Sequence, residues 1–350
     1  MTDILLINNI LNTAFERRAT DVHLVAGNNP VIRVDGRLST LTEEKILTPD
    51  IILSMAESFL SKEELDKLNH QRELVTIYSW SNRARFRAKL FYQKGYLAIS
   101  LRLIPAMIRS PRELGIPPAI VQLLNQDKGV IIITGPFGSG RTSTAVSLIE
   151  TLNQNKGLHI QTLEKPIEYL FSNNQSVIEQ REVGKDVDSF VSGLKNMIDE
   201  DIDVVFVDSL HEDGMEEHVL ELAESGKLVI VIMDADSVIS AIERFVSNLP
   251  GDRRQWGQDL LAELLIGVLN QRLLTRLGGG LALATGVLTN TAAVRSSIKD
   301  NALYQLNSIM QTSKDEGMMI LDKSLLSLVR AGQVSMDEAR MQALDPQTFR

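Results

Sequence analysis

The segment Lys128–Ser143, KGVIIITGPFGSGRTS, constrains the fold of this chain more than any other. Its β-branched run VIII reads as a buried strand, a glycine-rich bend follows, and TSTAVSLIETLNQ then places apolar residues at helical spacing. Strand, glycine loop and helix in that order turn backbone N–H groups toward a phosphate at a helix N-terminus. From Gly135 through Pro136, Phe137, Gly138, Ser139 and Gly140 to Thr142, the spacing GxxxxGxT is that of a Walker A phosphate loop. Arg141 stands where the motif has lysine. Its planar guanidinium directs its donors in a fixed fork, unlike a compact ammonium. Thr142 retains the hydroxyl that holds Mg²⁺ in such loops. The alternative is a glycine-rich turn that binds nothing.

The rest of the chain extends this pattern. After Lys128 the runs VIIIT, LHIQTLE, DVVFVD and KLVIVIM alternate with amphipathic helical segments, and continuous Val/Ile-rich runs predict a mostly parallel sheet covered on both faces. Val204–Val207 followed by Asp208 is four apolar residues and a carboxylate, the Walker B pattern that orders Mg²⁺. Past Gly278-Gly279-Gly280 come one more strand, LALATGVLT, and helices that include MILDKSLLSLVRAG. Residues 118–350 are expected to form a P-loop α/β domain.

Ahead of it, ILLINNILNTAFERRA has helical spacing, VHLVAGNNPVIRVDGRL reads as two strands around an Asn-Asn turn, and helices are expected near 49 to 69. LVTIYSW, ARFRAKLFYQ and YLAISLRLI predict a meander broken at Ser81-Asn82 and Lys94-Gly95. Residues 1–103 thus form an α+β unit, and the proline-bearing IPAMIRSPRELGIPPAI is a linker over 104–117.

Composition narrows the function classes. The apolar runs are strand-sized, and MTDILLINN has neither a basic region nor a cleavage-like site, so no transmembrane segment is expected. With no cysteine there is no thiol nucleophile, disulfide or zinc ribbon. A net charge of −9 argues against nucleic acid as the main partner.

Several segments, in one order along nearly the whole chain, resemble the type IV pilus retraction motors, the PilT-like members of the secretion ATPase superfamily. ATDVHLVAGNNPVIRVDGRL is similar to that family's SDLHL segment, and RFRAKLFYQ with SLRLIP to its RFR strand. TLEKPIEYLF stands where its Asp box reads TIEDPIEF, and QREVGKD is close to QREVGRD. LNQRLLTRLGGGLALATGVL, AAVRSSI and MMILDKSLLSLVRAG echo later segments. The resemblance implies a PAS-like N-terminal α+β domain and a RecA-like P-loop NTPase domain with a helical C-terminal region. It also implies a cytoplasmic protein, peripheral to the inner membrane, with ATP and Mg²⁺ as cofactors. Its partners would be a homo- or hetero-hexamer with an active pilus motor paralogue and the inner-membrane platform protein of the pilus machine.

Departures from the family fall on the chemistry. Its Walker B strand ends in Gly-Glu, the glutamate polarising water, whereas this chain has Asp208-Ser209. Its His box, GHLVFGTLH, is GKLVIVIMD here, with Lys227 and Asp234 at the two histidine positions. The Asp box keeps Glu164 and Glu168 but carries Lys165, and His211 replaces an arginine. No catalytic motif is intact. The resemblance implies nucleotide contacts from Gly135 through Ser143 and from Arg85 and Arg87, the RFR positions that reach across a domain or subunit boundary, with Mg²⁺ held by Thr142 and Asp208. A positioned general base contributes about 10²–10⁴ in rate, so its loss predicts weak or absent hydrolysis. The expected function is a regulatory or structural subunit of pilus machinery. The alternatives are a slow retraction motor with Glu164, Glu168 or Asp208 as base, and an ATP-binding switch that does not hydrolyse.

Other features have plainer readings. Arg83, Arg85, Arg87 and Lys89 alternate with apolar residues and share one strand face, which is a solvated face unless the resemblance holds. His211 and His218 are two helical turns apart, too far for a metal pair, and fit an acidic solvated helix. Asp199-Glu200-Asp201 fits a solvated helix end, and His23 a hydrogen-bonded structural role. Arg244 and Arg295 are surface arginines or face a neighbouring subunit.

Overall fold

Two sheets organise the chain, one in each of two units that divide between Met107 and Ile108. The structure is a computed structural model and describes residues 2–80 and 83–349.

The first unit contains α1 (Thr2–Glu16), β1 (Asp21–Val25), β2 (Val31–Val34), β3 (Arg37–Thr40), α2 (Pro49–Glu57), α3 (Lys62–Gln71), β4 (Glu73–Trp80), β5 (Ala84–Gln93) and β6 (Tyr96–Ile104). Its sheet is antiparallel in the order β3-β2-β1-β6-β5-β4. Along β5 the apolar residues Ala84, Phe86, Ala88 and Leu90 are buried while Arg85 and Arg87 are half-buried and Lys89 is exposed, as period-two alternation dictates. Lys94 and Gly95 both have positive φ, the type I′ turn that matches strand twist. The break expected at Ser81-Asn82 lies outside the described residues. The helical stretch is two helices because Thr48 caps α2 and Ser61 starts α3 with a capping box to Glu64. β3 was not anticipated, since all its residues are exposed and leave no alternation to read. His23 Nδ1 meets Ser100 Oγ at 3.1 Å across the β1–β6 ladder, a structural contact.

The second unit begins with α4 (Pro111–Leu114), α5 (Pro118–Leu123), β7 (Gly129–Thr134), α6 (Arg141–Asn155), β8 (His159–Glu164), β9 (Val177–Glu182) and α7 (Phe190–Met197). It continues through β10 (Val204–Val207), α8 (Met215–Glu224), β11 (Leu228–Met233), α9 (Val238–Ser247), α10 (Arg254–Leu264), β12 (Leu265–Thr275) and β13 (Leu281–Thr289). The helices α11 (Ala292–Lys299), α12 (Leu306–Thr312), α13 (Leu321–Arg330) and α14 (Met336–Gln342) follow. The sheet order is β13-β12-β7-β11-β10-β8-β9, parallel except for the antiparallel β12–β13 pair.

Every residue of β7, β10 and β11 is buried, because each face of the sheet has its own core. Ile132, Val205 and Val231 pack with Phe190 and Phe245, and Ile131, Phe206 and Ile230 with Leu148 and Ile149. Two strands carry no clear signal in the sequence. β9, VIEQRE, is a partly exposed edge strand, and β12, LIGVLNQRLLT, has leucines spaced as a helix would space them.

Candidate nucleotide site at the carboxyl edge of the parallel sheet

β7, β11, β10 and β8 are parallel neighbours, so the residues that follow each strand collect along one edge. That edge is where open α/β sheets bind ligands. It brings together the glycine loop after β7, Asp234 after β11, Asp208-Ser209 after β10 and Glu164 at the end of β8.

Gly135, Gly138 and Gly140 have φ of 149°, 82° and 89°, values that favour glycine, and they fold the loop back onto the start of α6. A Cβ on Gly135 would stand 2.5 Å from the Gln271 carbonyl oxygen, so the loop is seated directly against β12. Gly140 is the N-cap of α6 and no described side chain caps the helix, which leaves its first N–H groups for an anion. Ser139 Oγ is buried without a hydrogen-bond partner among the described residues. An orphaned hydroxyl beside uncapped helix N–H groups, in a glycine cradle, is a donor set that fits phosphate. Pro136 and Phe137 form the outer rim, Phe137 being exposed. Ser143 lies 3.4 Å from the Tyr169 hydroxyl.

Arg141 turns toward β11. Its Nη1 donates to the Met233 carbonyl oxygen at 2.9 Å and to Asp234 Oδ1, forming an ion pair. Two substitutions that look independent in sequence are therefore one contact, made across the gap between adjacent strands.

Glu164 is buried at the end of β8. Burial pushes its carboxyl up to about 7, against hydrogen bonds from Thr162 Oγ1 and Gln180 Nε2 that favour the charged form. Alongside, Asp208 Oδ2 accepts the backbone N–H of Lys165 at 2.8 Å, so the carboxylate is oriented by the Asp box strand. Ser209 Oγ is 3.0 Å from His211 Nδ1, and His211 packs edge-on against Phe190. Glu168 is half-buried on the same edge and raises the Glu164 carboxyl further.

Residues 3–280 match the family described as Type II/IV secretion system protein. The chain belongs to that family. The type IV pilus retractation ATPase PilT of Pseudomonas aeruginosa is 30% identical over 345 residues, covering 98% of this chain and 99% of the relative. The twitching motility protein of Neisseria gonorrhoeae is 29% identical, covering 93% of this chain and 87% of its own. The crystal structure of the pilus retraction motor PilT with bound ADP superposes with a TM-score of 0.85 at 34% identity, covering 97% of each chain. The Legionella pneumophila ATPase DotB shares the fold, with a TM-score of 0.84 at 19% identity and coverage of 96% and 95%. This secretion family member is thus PilT-like along its length, with an N-terminal domain, a RecA-like ATPase domain and C-terminal helices. Among the described residues no helix is long and apolar enough to cross a membrane.

Within this family framework several positions need correction. Lys227 precedes β11 and Asp234 follows it, so about seven residues of extended chain, roughly 20 Å, separate them. Lys227 lies at the opposite edge of the sheet from the glycine loop, buried, with Nζ donating to the Ile198 carbonyl oxygen and Ser225 Oγ. It fastens the turn below α8 and is not a site residue of its own subunit's loop. His211 lies in the loop before α8 while His218 is on the helix and contacts Glu221 at 2.7 Å, so the two do not share one helix. Arg244 is not idle: its Nη1 donates to the Asp234 carbonyl oxygen at 2.8 Å. Arg295 Nη1 reaches the Asn290 carbonyl oxygen at 3.3 Å. Sequence reasoning missed Gln271 and Arg272 of β12, which buttress the loop and the segment after β11. Their signal was three adjacent polar residues, Asn270-Gln271-Arg272, in an apolar run.

Proposed function

We infer that this protein is a PilT-like P-loop subunit of type IV pilus machinery that binds nucleotide phosphate but hydrolyses ATP weakly or not at all. It acts by association, in a ring with copies of itself or with an active motor, or against the membrane platform. The observation that carries this is the Arg141 side chain engaged with Asp234 and Met233, on an edge where Ser209 stands in place of a carboxylate base. Serine is unable to take a proton from water near neutral pH, and Asp234 competes with the phosphates for the side-chain cation of the loop. The glycine cradle, the uncapped α6 and the orphaned Ser139 hydroxyl favour retained phosphate binding. Gly135–Ser143 would hold the phosphates and Thr142 with Asp208 the Mg²⁺. Bound Mg²⁺ would supply charge neutralisation at the phosphates.

A second reading has its own observation. Glu164, with its carboxyl near 7 beside Asp208, has the proton affinity of a general base, which favours a slow retraction motor. One sample distinguishes them: titration with a fluorescent ATP analogue while phosphate release is recorded. Micromolar binding with negligible release is expected, and release at motor-like rates that Glu164→Ala abolishes overturns the first reading in favour of the second.

A further inference from the structure

We propose that Asp234 is a positioning residue that sets the nucleotide affinity of the phosphate loop by competing with phosphate for Arg141. This rests on the reading that the loop binds nucleotide phosphate. A guanidinium fork has the same geometric preference for a carboxylate as for a phosphate, so the two oxyanions are alternatives for one set of donors. Arg141 is the first residue of α6, directly after the loop, with 14% of its side chain exposed. Asp234 is 65% exposed, so solvent screens the pair and a ligand of higher charge can displace it.

The carboxylate is presented from a fastened backbone. Three successive carbonyl oxygens after β11 each accept from side chains: Asp234 from Arg244 Nη1, Ala235 from Thr134 Oγ1 and Asn270 Nδ2, and Asp236 from Arg272 Nη2. Thr134, Asn270 and Arg272 are buried. Asp234 therefore stays beside the loop whether or not Arg141 is bound to it, and its exposed carboxylate is the part that yields. In this arrangement the loop is held in a low-affinity state by an internal anion. Di- and triphosphates of nucleosides bind by drawing Arg141 off Asp234.

The test is a fluorescence titration of the full-length protein with N-methylanthraniloyl-ADP, comparing wild type, Asp234→Asn, Asp234→Glu, Arg141→Ala and the double variant Arg141→Ala/Asp234→Asn. Asp234→Asn removes the competing anion, leaving only the Met233 carbonyl on Arg141, and tightens binding by roughly fivefold or more, the size of coupling seen between directly paired residues. Asp234→Glu keeps the carboxylate and leaves affinity near the wild-type value. In the Arg141→Ala background Asp234→Asn gives no gain. A gain that persists without Arg141 is simple relief of charge repulsion and overturns the proposal, as does an Asp234→Asn protein that melts like wild type and binds no tighter. Binding by Asp234→Asn but not by wild type upholds it in its strongest form. Absence of binding by every variant sinks the nucleotide-binding reading itself and this proposal with it. Motor-like ATP turnover by wild type overturns only the proposed weak hydrolysis, and the affinity ratios still decide the role of Asp234.

Discussion

Burial of Glu164 links the chemistry of the candidate site to the stability of the fold. Its carboxyl rises from the ordinary 4.5 to about 7 because desolvation outweighs the hydrogen bonds from Thr162 and Gln180, with Glu168 and Glu182 adding repulsion. A raised folded value means the folded state holds the proton more tightly than the unfolded one. The stabilisation from that proton is complete below about 4.5 and is lost as pH climbs through about 7. At 1.36 kcal/mol per unit the loss is on the order of 3 kcal/mol. Glu164→Gln mimics the protonated group and keeps an oxygen for both donors. Urea unfolding at pH 5 and pH 8 should therefore show wild type losing stability across that interval by more than the variant does. Equal losses would mean that Glu164 is not held in its neutral form. At this scale the sequence showed which residues had changed but not what they touch. Arg141 and Asp234 are 93 positions apart, and only the pairing of β7 with β11 brings their side chains together. Lys227 and Asp234, the two His box positions, lie at opposite edges of the sheet because β11 runs between them.

The phosphate loop as an element is defined by how closely it approaches β12, not by its sequence pattern alone. Gly135 combines a φ of 149° with a neighbouring carbonyl oxygen 2.5 Å from where a Cβ would stand, whereas Gly138, at 82°, would place a Cβ in open space. Gly138→Ala should cost about 1–2 kcal/mol, the penalty for a left-handed residue. Gly135→Ala should cost clearly more, because the seat of the loop against β12 must also open. Denaturant midpoints of the two variants check the order, and a smaller loss for Gly135→Ala would contradict the observed seating. The loop, its strand and its helix were legible in the sequence because turn chemistry, β-branched run and helical spacing agree locally. β9 and β12 were not: an edge strand needs no second apolar face, and leucines in β12 are dictated by packing against both α13 and β7 rather than by propensity.

At the scale of the whole molecule, each unit closes its own core. Phe86, Leu101, Ile10 and Ile52 belong to a cluster confined to the first unit, and Phe206, Ile131 and Leu148 to one confined to the second. This division follows from sequence: two-residue periodicity in β5 makes a one-sided sheet, and continuous apolar runs in β7, β10 and β11 make a two-sided one. Truncating a buried phenylalanine costs about 3–5 kcal/mol, enough to move one transition without the other if the cores are energetically separate. Phe86→Ala should lower the unfolding midpoint of the first unit while leaving the second unchanged, and Phe206→Ala should do the reverse. A fragment of residues 1–107 should unfold cooperatively and reproduce the Phe86-sensitive transition. Circular dichroism of both variants and of the fragment across a urea series makes the comparison. A single transition shifted equally by either substitution would mean that the two cores unfold as one.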